Sequence, residues 1–196
     1  MDSRDQLRRR ARQQRQSLSP AENARLSSLA CSIFCNHPWF RNSHKIAAFF
    51  PSDGEIDPLL LVERAWAMGK RCYFPVLKPG SANALWFHEY RPGDRLLTNR
   101  FGINEPDPLK RTRISPMALD IVLTPLVCFD ASGTRLGMGG GYYDRSFSHL
   151  RRRNRWFKPK MIGIAFDSQK LNRIPSENWD IPLDAIVSDK QMYIAD

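Results

Sequence analysis

The stretch Asp120-Ile-Val-Leu-Thr-Pro-Leu-Val-Cys-Phe129 limits the fold more than any other part of the chain. It is apolar nearly throughout, which predicts a strand buried on both faces. Such a strand needs a layer of structure on each side of its sheet. Shorter runs of similar character, at 45–50, 71–77, 161–166, 185–187 and 192–194, predict further strands. Residues 84–90 alternate as an edge strand does, and the proline-rich stretch 91–119 reads mostly as loop.

Helical signals fall between these runs. The first 18 residues, rich in Arg and Gln, read as a polar helix. Ser19-Pro20-Ala21-Glu22 is a helix start, with an N-cap serine, proline at the first turn and glutamate three residues after the cap. Leu26, Leu29, Ala30, Ile33 and Phe34 then recur at helical spacing until Asn36-His37-Pro38. Asp57-Pro58 opens another helix and Gly69 closes it, so 45–77 has the form of a βαβ unit. The expected fold is a single α/β domain over residues 1–196. It is a three-layer αβα sandwich with a largely parallel central sheet and an N-terminal helical segment.

After the buried run and the turn Asp130-Ala-Ser-Gly133 comes Arg135-Leu-Gly-Met-Gly-Gly-Gly-Tyr-Tyr-Asp-Arg145, with four glycines in five positions. A helix is expected to begin near Gly141, with Tyr143, Phe147 and Leu150 on its inner face. In open α/β sheets ligands bind where strands end, and glycine lets the backbone approach them closely. Successive bare amides in front of a helix form a seat for an anion, and phosphate is the natural occupant. The competing reading is a tight connection with nothing bound. The pattern is not a Walker loop, since no Lys-Ser/Thr follows, and its spacing is not that of a dinucleotide fingerprint. Asp144 fits two roles equally: a ligand for magnesium against phosphate, or a carboxylate that stabilises a first helical turn.

The net charge of +10 implies an anionic partner without choosing one. Cys31, Cys35, Cys72 and Cys128 form no CxxC pair, so they read as buried thiols of a reducing cytosol. The chain has no apolar run of membrane-spanning length and its first residues lack the apolar core of a secretory signal, so a cytoplasmic location is expected. A basic nucleic-acid-binding protein would fit the charge, but no RNA-binding motif or aromatic platform is legible. A sugar-phosphate isomerase or a CoA transferase would fit the architecture, but no catalytic base or nucleophilic carboxylate can be placed for either.

The glycine segment Arg135–Arg145 resembles the signature of the 5-formyltetrahydrofolate cyclo-ligase (5,10-methenyltetrahydrofolate synthetase) family in its bacterial form. The resemblance continues in order along the chain. It takes in Arg4-x-x-Leu7-Arg8-Arg9, Ser52-Asp-Gly-Glu-Ile-Asp57, Phe101-Gly-Ile-Asn-Glu-Pro106, the run Asp120–Asp130 and Trp179-Asp-Ile-Pro182. It implies the fold of sugar-phosphate isomerases and CoA transferases. It also implies conversion of 5-formyltetrahydrofolate to 5,10-methenyltetrahydrofolate with ATP and magnesium. In that reaction the formyl oxygen takes the γ-phosphoryl group as an iminium phosphate, N10 closes the ring, and ADP and phosphate are released. This is mainly positioning and charge neutralisation.

By the same resemblance Arg4, Arg8, Arg135, Leu136, Gly137, Met138, Gly139, Gly140, Gly141, Tyr142 and Tyr143 contact ATP, with Arg135 and Tyr142 also catalytic. Phe50, Glu55, Phe101 and Tyr142 border the folate, and Asp144 and Asp180 hold magnesium. The family often has lysine where Arg4 stands, so this chain offers a planar fork in place of a point charge. The run Arg151-Arg-Arg-Asn-Arg155 lies outside the signature. It reads as the outer face of a helix, or as an attraction for a polyglutamylated folate tail. A monomer that binds no nucleic acid and no membrane is expected.

Overall fold

A computed structural model of the chain describes residues 3–80, 83–107, 109, 112–152 and 158–195. The helices are α1 Arg4–Gln16, α2 Pro20–Cys35, α3 Pro38–Arg41, α4 Leu59–Ala67 and the short α5 Tyr142–Ser146. The strands are β1 Lys45–Ala47, β2 Arg71–Leu77, β3 Leu85–Glu89, β4 Leu96–Thr98, β5 Asn104–Pro106, β6 Arg113–Ile114, β7 Ile121–Thr124, β8 Cys128–Phe129, β9 Arg135–Leu136, β10 Lys160–Ile164, β11 Ala185–Val187 and β12 Met192–Ile194. Among the described residues no helix is long and apolar enough to cross a membrane.

Eight strands form one sheet in the order β12-β11-β10-β7-β1-β2-β3-β6. The five central strands, β11 to β2, are parallel, and β12, β3 and β6 join antiparallel at the edges. The fold is thus mixed α/β with a large, mostly parallel sheet. Side chains alternate between its faces, as the pleat requires. Ile46, Cys72, Phe74, Ile121, Leu123, Ile162 and Val187 pack with Ala30, Phe34, Leu61, Val62 and Ala65 of α2 and α4. Ala47, Tyr73, Val122, Met161 and Ile186 pack on the other face with Phe147, Leu150, Ile181 and Leu183.

Local signals placed most elements. Ser19 caps α2 through the expected box with Glu22, and Gly69 ends α4 in the left-handed region at φ 71°. The differences are instructive. The run 120–129 is two strands: Pro125 lacks an N–H, the parallel ladder stops at Thr124, and Cys128–Phe129 pairs instead with β9 in a separate hairpin. Residues 91–119 are mostly loop, as expected, but β4 and β5 form a hairpin there, and β6 covers β3, which is therefore not the edge. Both elements were too short for a period to show. The second helical layer is thin, because α5 has five residues and passes into 3₁₀ turns.

Gly133 closes the turn that delivers β9 and the glycine segment. It has φ 86°, and a Cβ there would lie 2.7 Å from the Leu183 carbonyl oxygen and 2.8 Å from the Ala195 Cβ. Gly133→Ala should lower the unfolding free energy by about 3 kcal/mol, combining left-handed strain with overpacking. Chemical denaturation of the two proteins measures it, and equal stability would show that this turn has slack.

Candidate active site

Strand β1 is joined forward to β2 on one side, but its other neighbour, β7, comes much later in the chain. Chain direction across the sheet reverses there, and the carboxyl ends of the two strands part to leave a crevice. Phe49 and Phe50 follow β1, Pro125 and Leu126 follow β7, and all four line a cavity of about 400 Å³.

The glycine segment forms one wall. Gly139 and Gly141 have φ 99° and 65°, values that L side chains rarely adopt. A Cβ on Gly140 would lie 2.9 Å from the Tyr142 ring. Two carbonyls of the segment are held by side chains. Arg8 Nε donates to Gly137 O at 2.9 Å and Asn83 Nδ2 to Gly140 O at 3.0 Å, and Arg145 also donates to Gly140 O. Among the described residues no acceptor meets the N–H groups of Gly139, Gly140 or Gly141. A wall with several of its acceptors occupied and a run of its donors bare suits an anion. The amides themselves make this seat: α5 is too short for the dipole anticipated behind the loop to add much.

Beside the loop lie two carboxylates, each held by an arginine. Arg135 Nη2 donates to Asp144 Oδ1 at 2.7 Å, and the same oxygen accepts from Ile181 N at 3.1 Å. Burial pulls the Arg135 guanidinium below its usual value, against the pull of Asp144 and Asp180. Arg4 forks onto Asp180, donating to Oδ2 at 2.8 Å and Oδ1 at 3.2 Å. That hydrogen bond raises the Arg4 guanidinium.

The opposite wall is aromatic. Phe50 stacks on Phe74 at 4.4 Å between centroids, and Phe101 meets Tyr142 edge-on at 5.9 Å. Phe101 is 54% exposed at the mouth, and Arg100 donates to the Tyr142 hydroxyl at 2.8 Å. Glu55 lies deep in the cavity, its Oε2 accepting from Ser52 N at 3.1 Å and its Oε1 3.8 Å from Arg15. Burial pushes its carboxyl above the usual range, more than Arg15 and Ser52 pull it down. Tyr143 is pushed up too, by burial and then by Glu55, so its phenol stays neutral.

A model of the 5-formyltetrahydrofolate cyclo-ligase family matches residues 1–189. The chain belongs to that family. The Escherichia coli K12 5-formyltetrahydrofolate cyclo-ligase is 39% identical over 182 residues, 93% of this chain and 98% of that protein. The Haemophilus influenzae enzyme of the same name is 42% identical over 144 residues, 73% of this chain and 74% of its own. The solution structure of Aquifex aeolicus 5,10-methenyltetrahydrofolate synthetase superposes with a TM-score of 0.81 at 32% identity. It covers 97% of this chain and 92% of that one. Membership in the cyclo-ligase family makes the protein an enzyme of the ligase class.

Of the residues the family motifs suggested, Arg4, Arg8, Phe50, Glu55, Phe101, Arg135, Asp180 and the segment 137–144 all line the one cavity. Leu136 does not. It is fully buried against Ala11, Val127 and Cys128, because alternation along β9 turns it inward when Arg135 points to the site. Sequence reasoning missed Arg145, Asn99, Glu105 and Trp179 on the lining. Arg145 belongs to the segment already singled out, and a hydrogen-bond count for the loop carbonyls would have found it. Arg151, expected on an outer helix face or as an attraction for a folate tail, borders the cavity and donates to Trp179 O at 2.9 Å; residues 153–155 of that run lie outside the described ones.

Glu55 has a raised folded-state value, so its contribution to stability is whole below the unfolded carboxylate range and is lost as pH rises through the raised value. Glu55→Gln should therefore melt higher than wild type at pH 8, with the gap closing towards pH 4. Melting temperatures across that range test the sign, and a variant less stable at pH 8 would mean that Arg15 outweighs burial.

Proposed function

We propose that the protein converts 5-formyltetrahydrofolate to 5,10-methenyltetrahydrofolate, using ATP and magnesium. The observation that carries this is the row of bare amides at Gly139–Gly141, set between arginines and carboxylates on one side and an aromatic wall on the other. Family membership supplies the reaction, and this arrangement supplies what phosphoryl transfer asks of a protein.

In this reading the amides of residues 137–143, with Arg8, take the nucleotide's phosphate oxygens. Arg4 closes from α1 and exchanges Asp180 for phosphate. The two carboxylates suit magnesium, which favours one or two carboxylates together with phosphate oxygens. Asp144 accepts both of its protein hydrogen bonds on Oδ1, leaving Oδ2 for a cation, and Asp180 is released when Arg4 turns away. Bound there, the cation would neutralise charge on the phosphates. Arg135 holds Asp144 at its station, which suits a positioning role better than direct contact with phosphate.

Phe50, Phe101 and Tyr142 enclose the folate rings, and Glu55 accepts hydrogen bonds from the pterin side. Exclusion of water matters here, because an activated formyl group must meet N10 before it meets solvent. The formyl oxygen attacks the γ-phosphorus as ADP leaves. N10 then attacks the formyl carbon and gives up its proton, and the carbon–oxygen bond breaks to release phosphate.

Purified protein with 5-formyltetrahydrofolate should develop the near-ultraviolet absorbance of the methenyl product only when ATP and magnesium are both present. Asp144→Asn keeps an acceptor for Arg135, so it should fold normally while losing about 100-fold or more in turnover. Wild-type turnover by this variant at limiting magnesium would remove Asp144 from the metal site. Absence of product from the wild-type protein would overturn the activity.

A further inference from the structure

Helix α1 is the most polar in the molecule, yet it is closely held. Leu7 and Ala11 pack on Val127, Cys128, Leu136 and Ile174. Beside that seam Arg4, Arg8, Arg12 and Arg15 recur at spacings of four, four and three, which puts them on one face of the helix. Each reaches a different part of the site or its support. Arg4 forks onto Asp180 and Arg8 grips the glycine segment. Arg12 Nε and Arg15 Nη2 both donate to Asp53 Oδ2 at 2.7 Å, and Gln16 donates to Asp53 Oδ1. Arg15 is 1% exposed, and it also donates to the Asp53 carbonyl at 2.9 Å and to Leu126 O at 3.3 Å.

Asp53 sits at φ 51° in the turn Ser52–Glu55, two residues before Glu55. One rigid element therefore touches the nucleotide side with its first two turns and the folate side with its last two. A fully buried arginine with this many partners is costly to place unless its contacts fix a geometry.

We propose that α1 is a lever joining the two subsites, and that Asp53 is the positioning residue through which nucleotide binding sets the turn carrying Glu55. This rests on the proposed assignment of nucleotide and folate to the two walls. When Arg4 and Arg8 close on phosphate, the position of α1 is fixed, and with it Arg12 and Arg15. Asp53 follows those two guanidiniums, and the Glu55 carboxyl is set for the pterin. Nucleotide and folate then bind with positive coupling, and linkage makes the effect reciprocal.

The turn has a second anchor that does not pass through α1. Asn23 Nδ2 donates to Gly54 O at 3.1 Å, and Asp57 N donates to the Ser27 hydroxyl at 3.0 Å, both from α2. Asp53→Asn should thus keep the fold, since asparagine tolerates the left-handed region. Arg12→Gln, at a half-exposed position, is a milder cut in the same link.

The test is the affinity for 5-formyltetrahydrofolate with and without MgADP, a pair that cannot turn over, measured by titration calorimetry. In the wild-type protein MgADP should tighten folate binding by about tenfold. Asp53→Asn should reduce that factor to about twofold or less, with MgADP still bound, and Arg12→Gln should lie between. Loss of thermal stability alone moves both folate affinities together and leaves the factor intact, so an unchanged factor in Asp53→Asn overturns the lever. Independent binding in the wild-type protein overturns it as well. Failure of the wild-type protein to bind either ligand instead overturns the function on which it rests.

Discussion

Parallel pairing of β1 with β2 on one side and β7 on the other creates the space that the rest of the molecule fills. Ile46 lies opposite both Cys72 and Ile121, so the strand is locked from both edges. The segments leaving β1 and β7 must diverge, since their connections lead to opposite parts of the sheet. Everything with chemical character is then hung around that gap: the phenylalanines and Glu55 after β1, Pro125 and the β8–β9 hairpin after β7. The hairpin projects the glycine segment back over the crevice, and Gly133 sets its angle.

Charge around the gap is arranged in pairs. Arg135 with Asp144 and Arg4 with Asp180 are ion pairs that set opposite charges against each other. The two differ in exposure. Arg135 is buried and also bound to the Ile181 carbonyl, so its partner is fixed. Arg4 comes from a helix laid across the mouth, and its side chain is more exposed than that of Arg135. The net charge of +10 in the sequence thus has a local use, since several of those arginines are committed to loop carbonyls and carboxylates at the site.

Much of this was legible beforehand. The buried run 120–129, the Ser19 cap and the stop at Gly69 gave an α/β order that the sheet bears out. The glycine segment stood out because side chains are absent where backbone is offered, and it does line the cavity. Other features had no signal. The β4–β5 hairpin has three-residue strands, below the length at which alternation can be told from chance. The buried state of Arg15 is invisible in a run of polar residues, because what buries it is Asp53, 38 positions away.

By itself the sequence determined the class of fold, the place of the glycine segment and, through its motifs, the family. Those properties depend on residue type and spacing along the chain, which need no third dimension. Tertiary structure alone decided which carboxylate faces which arginine, that Leu136 turns away from the cavity, and that one face of α1 touches both walls. Contacts between distant segments depend on how strands cross and where a helix docks, and the energies that settle them arise only when those segments meet.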